Sequence, residues 1–257
     1  MFDIIHKIME SIDVEGYRFI NPTIVYNEGW IMRLALFWFY ENRNKNIQHP
    51  LAFNPSSRWY SEALLSTPFK ATRRGDRLAE NYTHADGVIG EFEIGGKGKS
   101  DLIVKNDCML LKVVESKLFS KLSENVTNAK YYNQAARSFS CILNILKEQT
   151  MNVEKMQDVS FIVIGSRKII EKEQTFEKYL DREYLYKIID RRLSEYSVDS
   201  NVRKEWEPYY HTYRDYLKIH LVSWEEIIEY IRIYDLDYSN KMSGFYKECC
   251  SHYPEKN

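Results

Sequence analysis

The run that most constrains this chain is Met109–Ser116, MLLKVVES, an apolar and β-branched segment interrupted by Lys112 and leading into the charged Glu115-Ser116-Lys117. Such a run reads as a strand. Strand side chains alternate, so Glu115 and Lys117 project to one face and Ser116 to the other. A charged pair directly after a β-branched core run is costly to bury unless a metal or a partner compensates. Upstream, Asp101 opens a shorter apolar strand, DLIV (101–104), with thirteen residues between it and Glu115. A turn at Lys105–Asp107 is expected to bring Asp101 beside the Glu115/Lys117 pair. Two carboxylates there can hold Mg²⁺ through oxygen ligation, and an adjacent ammonium can orient or deprotonate a water.

The neighbouring segments give this run a context. GVIGEFEI (87–94) alternates apolar and polar residues, and Gly95-Gly96-Lys97-Gly98 reads as a hairpin connection onward to 101–104. A long helix is expected over 128–148, then a buried strand, VSFIVIG (159–165). Two charged, Tyr-rich helices over 173–217 break near 197–201. A last strand, IHLVSW (219–224), runs into Ser223-Trp-Glu-Glu, an N-cap with acids in the first turn of a helix. Before the first strand, MFDIIHKIMESI reads as a short amphipathic helix, and Asn27-Glu28-Gly29-Trp30 leads into a buried helix to about Tyr40. Residues 41–58 read as loop, Trp59–Leu65 as a short helix and ATRRGDR (71–77) as a basic loop. Tight turns make adjacent strands antiparallel, and a strand reached through a helix is expected parallel to its neighbour. The expected class is α/β, a mixed sheet with helices on both faces.

Composition narrows the partners. Net charge is −1, so no global positive field draws a polyanion, and a nucleic-acid surface would need a local basic patch. Arg73, Arg74 and Arg77 form the clearest one. The four cysteines, Cys108, Cys141, Cys249 and Cys250, make no C-x-x-C pair and no zinc spacing, as expected of reduced thiols. The N-terminus lacks a continuous apolar signal core, and IMRLALFWFY (31–40) is too short to span a bilayer and contains Arg33. No membrane partner and a cytoplasmic location are therefore expected. GGKGKS (95–100) fails as a phosphate loop, because that pattern needs Gly at Glu93 and must precede a helix rather than a strand.

In element order and in these residues the chain resembles the PD-(D/E)XK nuclease superfamily, over about residues 24–165 and on to 224. The motif of that superfamily is an acid on the second core strand and E-x-K on the third, matched here to Asp101 and Glu115-Ser116-Lys117. Many members add a Glu from the first core helix, where Glu28 falls, and some a Gln in the helix after E-x-K, where Gln134 falls. Two departures stand out. Ser100 takes the place of the motif Pro, and Ser138 occupies the Tyr position of the exonuclease Q-x-x-x-Y.

The resemblance implies a restriction-endonuclease-like fold: a mixed β-sheet core flanked by helices, with helical C-terminal additions at about 170–217 and 225–257, in a single nuclease-like domain over 1–257. It implies a Mg²⁺-dependent nuclease, with Mn²⁺ able to substitute, that hydrolyses phosphodiester bonds, DNA favoured, as a restriction or defence endonuclease does. Asp101, Glu115, the Ser116 backbone carbonyl and Glu28 would ligate metal. Lys117 would position water or contact phosphate, and Gln134 would complete the catalytic set. Tyr131 and Arg137, each three residues from Gln134, would share its helix face and, with Arg73, Arg74 and Arg77, contact nucleic acid. His84 and Asp86, before the 87–94 strand, could shape the site. Glu91 and Glu93 share a strand face that could approach the metals or simply be exposed. Helices 173–217 are candidates for specificity or for a homodimer interface. The rival reading is a non-catalytic nucleic-acid-binding or protein-interaction module on a nuclease fold.

Overall fold

Two buried central strands set the architecture of the computed structural model, which describes residues 1–14, 19–96, 98, 101–124 and 129–253. Lys97, Lys99 and Ser100 of the glycine–lysine loop, and the expected helix start at 128, lie outside the described residues. In chain order the elements are α1 (Phe2–Glu10), α2 (Glu28–Glu41), β1 (Arg58–Leu65), β2 (Thr83–Gly90), β3 (Phe92–Ile94), β4 (Leu102–Val104), β5 (Leu110–Ser116) and α3 (Gln134–Glu148). They continue as β6 (Asp158–Gly165), α4 (Arg167–Lys172), α5 (Thr175–Leu180), α6 (Arg182–Ser194), α7 (Glu207–Tyr213), β7 (Lys218–Ser223), α8 (Trp224–Tyr234) and α9 (Leu236–His252). Every residue of β5 is buried, as is all of β6 except Asp158, so these strands take the centre of the sheet.

The main sheet has five strands in the order β1-β2-β5-β6-β7. β1, β2 and β5 run antiparallel in turn, whereas β5, β6 and β7 are parallel. The parallel pairs follow helical crossovers through α3 and through α4–α7, as the chain geometry requires. The fold is thus α/β, a mixed sheet flanked by helices. Among the described residues no helix is long and apolar enough to cross a membrane.

Alternation along the strands sorts the core into two layers. Leu111, Val113, Phe161 and Val163 pack with Phe139, Ile142 and Leu146 of α3. Val114, Ile162 and Ile164 pack on the opposite face with Met32 and Leu36 of α2 and Ile227 and Ile231 of α8. Each such side chain contributes about 1.5–3 kcal/mol on full burial. Gly87 lets α2 approach β2, since a Cβ there would lie 2.9 Å from Leu36 Cδ1. The helices that carry site residues begin at side-chain caps: Asn27 Oδ1 accepts from Trp30 N at 3.0 Å, and Asn133 Oδ1 from Ala136 N at 2.9 Å.

Three expectations change. Residues 59–65 are not a helix but part of β1, paired with β2 through Ser61↔Gly87 and Ala63↔Ala85. Their Ser-Glu-Ala-Leu-Leu composition favours a helix locally, but sheet pairing prevails. Glu62, at φ 61, sits in the left-handed region and breaks the strand alternation that would have revealed it. The 87–94 segment is two strands, divided at Gly90, whose φ of 157 and close approach to the Leu110 carbonyl oxygen leave no room for a side chain. Finally, β4 does not pair with β5. It pairs with β3 in a separate two-stranded sheet, through Phe92↔Val104 and Ile94↔Leu102.

Candidate active site

The end of β5 delivers Glu115 and Lys117 to the sheet face covered by α3, continuing the alternation of Leu111 and Val113. Both are buried, at 3% and 9% exposure. Lys117 Nζ donates to Glu115 Oε1 at 2.6 Å, and Gln134 Nε2 donates to the same oxygen. Gln134 is the first residue of α3, and its backbone N–H is held by Ser123 O at 2.9 Å. The helix start therefore fixes this amide against the carboxylate.

Two more carboxylates arrive from neighbouring elements. The Gly87↔Val114 pairing, carried one residue further, sets Asp86 of β2 opposite Glu115. Asp86 Oδ2 accepts from Ser116 N at 2.7 Å and Ser116 Oγ at 3.1 Å. Glu28 opens α2, and its Oε2 accepts from Leu118 N at 3.0 Å. Lys117 is anchored through its backbone, its N–H on Ile164 O at 2.7 Å and its carbonyl accepting from Trp224 Nε1 at 3.2 Å.

Charge is unbalanced here. Burial pushes the Glu115 carboxyl up to about 8, with Asp86 and Glu28 pushing the same way and Lys117 opposing. Burial also raises Glu28, Asp86 adds to it, and Lys117 and the Leu118 N–H pull it down. Burial alone would lower Lys117, but Glu115, Asp86 and Glu28 outweigh it and hold the ammonium above its usual range. Lys117 is accordingly an ammonium that donates a hydrogen bond to Glu115.

Asp101 is not part of this cluster. It forms a parallel bridge to Leu64 on the outer edge of β1, and its Oδ2 accepts from Gly98 N at 2.7 Å. With β1 and β2 between them, Asp101 and the β5 line are three strand spacings apart, roughly 14 Å. It lines a cavity of about 280 Å³ with Ser66, Glu148 and Gln149 instead. The cause is the strand count: once 59–65 is a strand, β2 is the second strand of the main sheet, and the acid it sets opposite Glu115 is Asp86.

The expected nucleic-acid contacts divide as well. Arg73, Arg74 and Arg77 are exposed, in a loop that Asp76 braces by accepting from Thr72 N at 3.1 Å. Arg137 is turned to backbone, donating to Asn81 O at 2.7 Å and Tyr82 O at 3.2 Å, with Nε 3.8 Å from Glu80. Tyr131 lies in the turn before α3, not on its face with Gln134, and the Arg191 guanidinium sits 3.8 Å from its ring centroid. Glu91 accepts from Met109 N and Leu110 N, both at 3.0 Å, and so fastens the entry of β5. His84 Nδ1 lies 3.3 Å from Glu62 O.

The donor set fits a hard divalent cation. Glu28, Asp86 and Glu115 offer only oxygen, which suits Mg²⁺ or Mn²⁺ rather than a thiolate- or imidazole-bound metal. Burial raises the Glu115 carboxyl to about 8, and Asp86 and Glu28 add to it, so three carboxyl groups share one ammonium here. Among the described residues no three His, Cys, Asp or Glu side chains stand in ready ligating positions. Lys117, Gln134, Ser116 and Leu118 hold the carboxylate oxygens, and a cation would displace the first two from Glu115.

The chain matches no protein-family model, no curated protein and no solved structure.

Proposed function

We propose that this chain is a divalent-metal-dependent nuclease of the PD-(D/E)XK type on a restriction-endonuclease-like fold, acting on phosphodiester bonds of DNA. The observation that carries the reading is the meeting of Asp86, within β2, with Glu115 and Lys117 at the end of the adjacent β5, with Glu28 and Gln134 supplied by the starts of two helices. The acid stands on the second strand of the main sheet and E-x-K at the end of the third.

In this reading Asp86 and Glu115 hold the cation, with the Ser116 carbonyl as a further ligand carried over from the resemblance and Glu28 as an outer one. When bound, the cation stabilises charge on the scissile phosphate and lowers the pKa of a coordinated water. Lys117, placed against Glu115, would position water or contact a phosphate oxygen. Gln134 steadies Glu115 and presents an amide donor to the same space. Ser116 fixes Asp86 through both its N–H and its hydroxyl.

The test is cleavage of plasmid, linear duplex, single-stranded DNA and RNA in Mg²⁺ or Mn²⁺ against EDTA. Metal-dependent cleavage lost in Asp86→Asn, Glu115→Ala and Lys117→Ala supports the reading. Cleavage that survives Glu115→Ala sinks the site. A folded protein that neither cleaves nor binds divalent metal replaces the reading with a non-catalytic binding module.

A further inference from the structure

We infer that the stacked rings of Phe119 and Tyr253, beside the carboxylate cluster, form a platform for an unpaired nucleobase and bias the site toward single-stranded DNA. The inference rests on the nuclease reading above. Phe119 lies two residues beyond Lys117, within about 7 Å along the chain. It directly follows Leu118, whose N–H binds Glu28. Tyr253, just past the end of α9, stacks on it with ring centroids 4.9 Å apart and planes at 23°.

The tertiary structure joins two rings that are far apart in sequence. α9 is pinned over the start of α2 by His252 stacked on Tyr26 at 5.4 Å, by Phe245 against the same ring at 5.1 Å, and by Cys249 Sγ approaching Asn27 O at 3.9 Å. Rings that only fasten a helix are driven to bury; Trp224, which also touches this segment through Lys117 O, is fully buried. Phe119 and Tyr253 instead keep 38% and 37% of their surface in solvent. Near-parallel rings with an open side present a flat π-face, the shape a base takes up by stacking.

A cation stands in the same segment, since Lys121 is exposed two residues beyond Phe119. In a duplex the base faces are already stacked and closed to such a platform. An unpaired strand can turn a base onto Phe119–Tyr253 while its phosphate reaches the carboxylates.

The experiment is fluorescence anisotropy in EDTA with a labelled 12-nucleotide DNA strand, its duplex and the RNA of the same sequence. Wild type, Phe119→Leu, Tyr253→Leu, Phe119→Tyr and Tyr253→Phe are compared, with thermal melts to show that each is folded. The expected result is that each Leu variant lowers the single-strand to duplex affinity ratio by roughly five- to a hundredfold. The aromatic exchanges should hold the ratio near wild type. An unchanged ratio in both Leu variants, equal losses on both DNA forms, or a platform effect confined to RNA overturns the inference. Duplex cleavage in Mg²⁺ alongside any of those results leaves the nuclease reading standing, whereas a wild type that neither binds nor cleaves any of the three removes both.

Discussion

Two buried glutamates, Glu80 and Glu115, both face cations but differ in their other neighbours. Burial raises both. Around Glu80 the neighbours oppose it: Arg192 Nε stands 3.3 Å away, Arg137 Nε 3.8 Å, and Thr67 Oγ1 donates at 3.2 Å, and the carboxyl settles at about 7. Arg192 is itself saturated, with Glu195 at 2.5 Å, the Leu78 carbonyl, and the rings of Phe69 and Tyr196 at 5.2 and 5.6 Å. Around Glu115 two of the neighbours are further carboxylates, and it rises to about 8. The first cluster sets one carboxyl against two guanidinium groups and a hydroxyl. The second sets three carboxyl groups against one ammonium, an imbalance that a cation would relieve on the reading proposed above.

The largest expected effect falls on the saturated cluster. Arg192→Leu should leave Glu80 buried without its main partner and cost about 3–5 kcal/mol, read as the loss in a urea unfolding midpoint. A loss below about 1 kcal/mol would mean that the pair contributes little beyond packing. Next, Asp86→Asn should cut cleavage by about a hundredfold or more without lowering the melting temperature, while Asp101→Asn stays close to wild type. The reverse ranking would restore Asp101 to the site and break the comparison. Third, Mg²⁺ at a hundred times its dissociation constant should stabilise the wild type by about 2.7 kcal/mol, and much less in Glu115→Gln.

The smallest effect concerns pH. Glu115 has a folded pKa above its unfolded value, so its contribution to stability is full below about 4.5 and is lost as pH rises through about 8. Glu115→Gln cannot ionise. Its stability relative to the metal-free wild type should therefore climb by about 1 kcal/mol or more across that window, measured by chemical denaturation at several pH values. A flat difference would mean that Glu115 is ionised throughout and that burial does not raise its carboxyl.

Much of this arrangement is legible in the residues. The β-branched run of β5 specifies a strand, and the two-residue period puts Glu115 and Lys117 on one face. Asn27 leads into the helix that carries Glu28, whereas the start of α3 at Gln134, capped by Asn133, falls six residues beyond the expected 128. β1 was not legible. Its Ser-Glu-Ala-Leu-Leu stretch favours a helix, and Glu62 in the left-handed region interrupts the alternation opposite Asp86. That one element shifts the count of core strands, so the motif acid is sought at Asp101 when Asp86 is the one beside Glu115. The β3–β4 hairpin adds to the shift by standing between the second and third core strands in sequence and outside the main sheet in space.

The sequence by itself determined the elements whose signals are local: the central strands, the capped helices and the same-face pair of Glu115 and Lys117. Only the tertiary structure decided which acid completes that pair. Antiparallel pairing between β2 and β5 joins residues 86 and 115 across an intervening hairpin, and nothing in the local period of either strand encodes that partner. The same holds for the charge state of Glu115, since its raised pKa comes from burial beneath α3 and from carboxylates delivered by β2 and α2.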